Sequence, residues 1–126
     1  MKLLWISLGG AAGTAARYLI SGWTASLLGP SFPYGTLMVN VTGSFLLAFL
    51  MQLSLTTELL PVTLRLALTT GVLGGYTTYS TFSYETFRYF QEGAWLPGGL
   101  NVLVTVTACL IACLLGFALA KWITGG

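Results

Sequence analysis

Gly74-Gly75-Tyr76-Thr77-Thr78-Tyr79-Ser80-Thr81-Phe82 lies inside a stretch long enough to cross a bilayer, yet its composition argues against one continuous lipid-facing helix. Two adjacent glycines, four hydroxyl side chains and spaced aromatic rings favour a break in the helix, predicted here at Gly74-Gly75. Backbone that leaves the helix at membrane depth must be covered by protein or line a watery cavity. The segment is therefore the first candidate for a functional site.

The rest of the chain places it in a membrane. Of 126 residues, 56% are hydrophobic and only 6% charged, with a mean hydropathy of +0.85. Soluble domains carry roughly 25% charged residues. No charge occurs between Arg17 and Glu58, between Arg65 and Glu85, or between Gly93 and Ala120. Each interval approaches or exceeds the ~20 residues that span hydrocarbon as a helix. The chain thus reads as one integral membrane domain over residues 1–126, with no room for a soluble one. A net charge of +2 without a basic run gives no support for nucleic-acid binding. The N-terminal run loosely fits a signal peptide, but Tyr18-Leu19-Ile20 continues it past Arg17, so a retained first span is expected.

Four spans are predicted, at about 3–27, 34–55, 62–89 and 98–123, the third made of half-helices 62–73 and 79–89. The connections carry Gly29, Pro30 and Pro33, then Pro61, then Gln91-Glu92-Gly93 and Pro97-Gly98-Gly99, the punctuation expected of turns and helix starts. Trp5, Trp23, Trp95 and Trp122 fall near span ends, where amphipathic rings favour the interface. Both termini then share one side, with Lys2, Arg65 and Lys121 there and Arg88 nearer the other. This bias is too weak to fix an orientation, which permits insertion both ways and an antiparallel, dual-topology homodimer. Gly9, Gly13 and Gly43 allow close helix contact, either between subunits or within one.

Polar groups inside these spans need partners. Thr36, Asn40 and Ser44 share a helical face, and Asn40 either joins helices or offers its amide to an ion. Arg17 lies about 21 Å along the first helix at 1.5 Å per residue, where a charge needs a cavity or a partner. Glu85 is one candidate partner, and carbonyls freed at the break are another. Beyond the break, Ser80, Thr81 and Ser83 offer hydroxyls, and Tyr79 and Phe82 share a face with positive ring edges. Thr105, Cys109 and Cys113 form an i, i+4, i+8 line of small groups in the last span. Its bland reading is packing, and the cysteines read as packing residues before metal ligands. With no histidine, no aspartate and one acid in the spans, neither a triad nor a carboxylate pair can be built, so the chain is not expected to be an enzyme.

Taken together, these motifs resemble the Fluc-type (CrcB-like) fluoride channels and exporters. The matching pieces are Gly9 to Tyr18, Gly35 to Asn40, and Gly74 to Ser83 with Glu85, in the family's order and spacing. The resemblance implies a four-helix subunit paired with an inverted copy in the cell (inner) membrane, giving two fluoride pathways. It implies a fluoride path lined by Asn40, Tyr79, Phe82, Ser80, Thr81 and Ser83, with Thr105 from the last span. It also implies an entrance role for Arg17 and a structural sodium ion held by the backbone carbonyls of Gly74 and Thr77. Tyr79 stands where the family more often has phenylalanine, which leaves its ring edge and its hydroxyl as competing donors. Two other classes fit a chain of this size. A small multidrug-type cation transporter wants an acid in the first span, where this chain carries Arg17. A non-transporting assembly subunit would use the polar residues only to join helices.

Overall fold

In the computed structural model, which describes residues 1–125, the uninterrupted apolar runs become long helices. Gly126, the last residue of the expected domain, lies outside the described residues. Helix α1 covers Lys2–Leu28 and α2 covers Tyr34–Thr56. Gly29 ends α1 at φ 83°, a left-handed conformation that glycine adopts without a Cβ clash. Pro33 stands at the N-cap of α2 and Pro61 at that of α3 (Val62–Leu66). From α3 the chain continues through a π-helical segment, Ala67–Leu73, into α4 (Gly74–Tyr76). After a break come α5 (Tyr79–Gln91) and α6 (Trp95–Thr124). The architecture is all-helical, with no strand among the described residues.

The break is real, but it does not fall at the glycines. Gly74 is helical, at φ −62° and ψ −38°. The extended residues are Thr77, with ψ 155°, and Thr78, at φ −148° and ψ 111°. The half-helices therefore run over residues 62–76 and 79–91 rather than 62–73 and 79–89. Close approach to α1 explains the difference. A Cβ on Gly75 would stand 2.6 Å from the Gly10 carbonyl oxygen, and one on Gly71 2.7 Å from that of Ile6. The glycines are spent on a backbone-to-backbone crossing, and the chain leaves the helix at two threonines, whose β-branched side chains suit extended backbone.

A second expectation also moves. Helix α6 starts at Trp95, ahead of the expected 98, so Pro97 and Gly98 fall in its first turn. Pro97 is tolerated there because the first N–H groups of a helix have no helical acceptor. Gly98 makes room for the Phe90 ring of α5, whose nearest carbon would lie 2.5 Å from a Cβ.

The small-residue faces serve the chain itself. Gly9 and Gly13 pack on the π-helical segment, Gly43 on Tyr76 and Thr77, and Gly116 of α6 on the Phe45 backbone of α2. Val39, Leu73 and Tyr76 form the buried core, directly behind the break. Most other large apolar side chains point outward. The helices Lys2–Leu28, Tyr34–Thr56 and Trp95–Thr124 are each long and apolar enough to cross a membrane. Such an apolar exterior identifies a membrane protein, because soluble monomers rarely expose more than a few hundred Å² of contiguous apolar surface. All four tryptophans are exposed near helix ends, at positions suited to the bilayer interface.

Candidate functional site

Leaving the helix orphans backbone groups, and each has to be satisfied at membrane depth. Asn40 of α2 answers for Thr78. Its Oδ1 accepts from the Thr78 N–H at 2.8 Å, and its Nδ2 donates to the Thr78 carbonyl at 3.1 Å. Thr78 is also the N-cap of α5, where its Oγ1 accepts from the Thr81 N–H at 3.2 Å. Those bonds release two carbonyls. The Thr78 N–H would otherwise close the helical ladder onto Gly74, and the Thr81 N–H onto Thr77. A third carbonyl, that of Gly75, accepts from Arg17 Nε at 2.9 Å. Of the two partners open to Arg17, the freed backbone is the one used, and Glu85 is not.

In front of the break lies a groove of about 250 Å³. It brings together Asn40 and Ser44 of α2, Tyr79 and Phe82 of α5, and Thr105 and Cys109 of α6. The Tyr79 and Phe82 rings sit 5.8 Å apart and tilted by 53°. Phe82 is only 8% exposed, whereas Tyr79 is 80% exposed on the rim. The groove therefore opens at the surface of the chain. An amide NH2 has two donors, so Asn40 keeps one beyond that spent on Thr78.

Behind Phe82 runs a buried polar chain whose proton directions are fixed by its end. The Phe82 carbonyl can only accept, so Thr86 donates its hydroxyl to it at 2.8 Å. Thr86 Oγ1 then accepts from Asn101 Nδ2 at 2.9 Å. That turns Asn101 Oδ1 towards Thr105, which donates to it at 3.3 Å. Thr105 consequently shows lone pairs rather than a proton to the groove while this bond holds. Asn101 is 2% exposed and is absent from the residues expected at the site. The available signal was its position one turn before Thr105, which extends the polar line of α6 to i−4.

The other expected residues divide among different surroundings. Arg17 opens into a separate cavity of about 240 Å³ lined also by Ser21, Thr36, Thr78 and Thr81. Thr81 thus faces Arg17 and does not line the aromatic groove. Ser80 and Ser83 are exposed outside both cavities. Glu85 lines a third cavity, of about 400 Å³, with Thr36, Tyr34, Arg88 and Tyr89. Its Oε1 is buried without a partner among the described residues. The α2 face of Thr36, Asn40 and Ser44 is split in the same way, Thr36 turning to Arg17 and Glu85 and the other two to the groove.

A family model described as CrcB-like protein, Camphor Resistance (CrcB), matches residues 4–117. The chain is similar to a protein of Sorangium cellulosum (strain So ce56) named fluoride-specific ion channel FluC, with 52% identity covering 99% of this chain and 98% of the relative. A protein of the same name from Geobacter metallireducens is 49% identical, covering 96% and 98%. A third, from Anaeromyxobacter sp. (strain K), is 48% identical, covering 98% of each.

Proposed function

The chain belongs to the CrcB-like protein family, and we propose that it is a fluoride channel that lets the ion leave the cytoplasm passively. The observation that carries this reading is the groove at the helix break. It sets an amide, hydroxyls and two aromatic rings around one small space without a buried cation facing it. Fluoride is small and tightly hydrated, so a pore must replace its water with closely placed donors while binding weakly enough to let go. The second Nδ2–H of Asn40, the Ser44 hydroxyl and the edges of Phe82 and Tyr79 suit that task. Near-full-length similarity to proteins named for fluoride supports the choice of ion.

In this reading the working unit is a homodimer with an inverted copy in the cell inner membrane, carrying two pores. An open groove with Tyr79 on its rim is completed by the second chain, and the weak charge bias of the loops allows opposite insertion. Ser80, Ser83 and Thr81 then supply hydroxyls along the approach, and Arg17 and Glu85 shape the aqueous entrances. A sodium ion at the dimer centre belongs to the same reading. The Gly74 and Thr77 carbonyls have lost their ladder donors, Gly74 is exposed, and unwound carbonyls beside a half-helix end suit a hard cation. The ion would supply charge that fastens the two breaks to each other.

The test is fluoride efflux from liposomes reconstituted with the pure protein, read with a fluoride electrode and with chloride-loaded liposomes as the control. Rapid fluoride release without chloride release is expected. Folded, reconstituted protein that releases no fluoride overturns the proposal.

A further inference from the structure

Cys109 and Cys113 are one helical turn apart on α6, and neither is in a disulfide. Residues at i, i+4 bring their Cβ atoms about 5–6 Å apart on one face. Two metal–thiolate bonds of about 2.3 Å placed end to end span a similar distance. Cys109 opens into the groove beside Asn40, Phe82 and Thr105. Cys113 lies one turn further along α6, where its thiol donates to the Ser44 carbonyl of α2 at 3.5 Å. We propose that the two thiols form a site for a soft, linearly coordinated dication such as the mercuric ion, with the groove as its entry path.

The chemistry of the surroundings selects the ligand class. Soft thiolates favour soft metals, and the chain has no histidine to complete a site for a borderline metal. Among the described residues no cluster of three histidine, cysteine or acidic side chains exists, so no further soft side chain stands beside the two thiols. A dication bound by two thiols displaces both protons to water through the groove, and the two S–H bonds are replaced by two S–metal bonds. The product is neutral, which matters where charge is expensive. A monovalent metal held by two thiolates would leave a negative charge in the same place. Among the described residues the bond given up is the long one from Cys113 to the Ser44 carbonyl. Metal held at Cys109 occupies the groove, so on the channel reading given above it also stops the ion.

The experiment titrates the full-length protein in detergent with mercuric chloride. It follows thiolate-to-mercury absorption in the ultraviolet and the number of thiols still reactive with a colorimetric disulfide reagent. One ion per chain is expected to saturate the absorption and silence both thiols. Cys109→Ser and Cys113→Ser should each bind with one bond and release the metal to competing glutathione roughly hundredfold more readily, since the second thiol acts at high effective concentration. Two ions bound per wild-type chain, or equal retention in the single variants, overturns the site. In liposomes, one equivalent is expected to stop fluoride efflux from the wild type and to spare both variants after glutathione. If untreated protein carries no fluoride, the channel reading fails while the titration still decides the site.

Discussion

The side-chain amide of Asn40 and the backbone of Thr78 form a closed pair of hydrogen bonds, 2.8 and 3.1 Å long. This pair holds the break open, because it satisfies the N–H that would otherwise extend the α4 ladder. Conformation here is set by a residue far away in the sequence.

Asn40→Leu removes both bonds and orphans the N–H and C=O of Thr78, at about 1–3 kcal/mol for each buried group. Lower thermal stability in detergent and a large loss of fluoride efflux are expected together. An N40L protein as stable as the parent would show that the break is held by something else.

The chain from Phe82 through Thr86 and Asn101 to Thr105 predicts non-additivity. Thr86→Val leaves the Asn101 Nδ2 without its acceptor, and a loss of about 1–3 kcal/mol follows. Combining it with Asn101→Leu removes the orphaned group, so the double variant should recover part of the loss, as contacting residues do. Thermal unfolding of the four proteins checks this, and strictly additive losses would break the link.

Gly13→Ala drives a methyl into the Val72 carbonyl of the π-helical segment, with an expected cost of about 1–3 kcal/mol for overpacking. Gly22, on the same helix, has nothing within 4 Å of a built Cβ. Gly22→Ala should be tolerated. Equal melting behaviour of the two variants would argue against the close crossing.

Tyr79 makes no hydrogen bond through its hydroxyl among the described residues, and its ring is packed against Phe82 at 5.8 Å. If the ring edge is what meets the ion, Tyr79→Phe keeps efflux close to the parent and Tyr79→Ala abolishes most of it. A Tyr79→Phe protein that loses flux assigns the work to the hydroxyl.

Sodium at the Gly74 and Thr77 carbonyls should raise the unfolding temperature over that in a sodium-free, large-cation buffer. Saturation a hundredfold above Kd corresponds to about 2.7 kcal/mol. Thr77→Val removes the hydroxyl but not the carbonyl, so it should keep the sodium dependence. Identical melting with and without sodium removes the ion from the reading.

Much of the site was legible because its signals are local. The aromatic pair at Tyr79 and Phe82 follows from helical spacing, and both rings do meet in the groove with Asn40 and Thr105. The family resemblance placed Ser80 and Ser83 on the same path, whereas their positions on α5 turn them outside the groove. Asn101 escaped notice because its value lies in a partner on another helix, Thr86, which spacing within α6 cannot reveal. For Arg17 charge alone left Glu85, a freed carbonyl and a watery cavity open, and the fold gives it the Gly75 carbonyl and a cavity while leaving Glu85 apart.

By itself the sequence determined a membrane protein of long helices, since an apolar run without charges has one inexpensive solution in lipid. It also determined which segment breaks, since glycines, threonines and aromatic rings make a poor continuous span. Tertiary structure decided where the break falls. Gly71 and Gly75 are needed as helix to let α1 approach, and Asn40 of α2 is placed to satisfy the backbone only at Thr78. Propensity is a property of neighbours along the chain. The position of a break inside a membrane depends on which distant group can accept its hydrogen bonds.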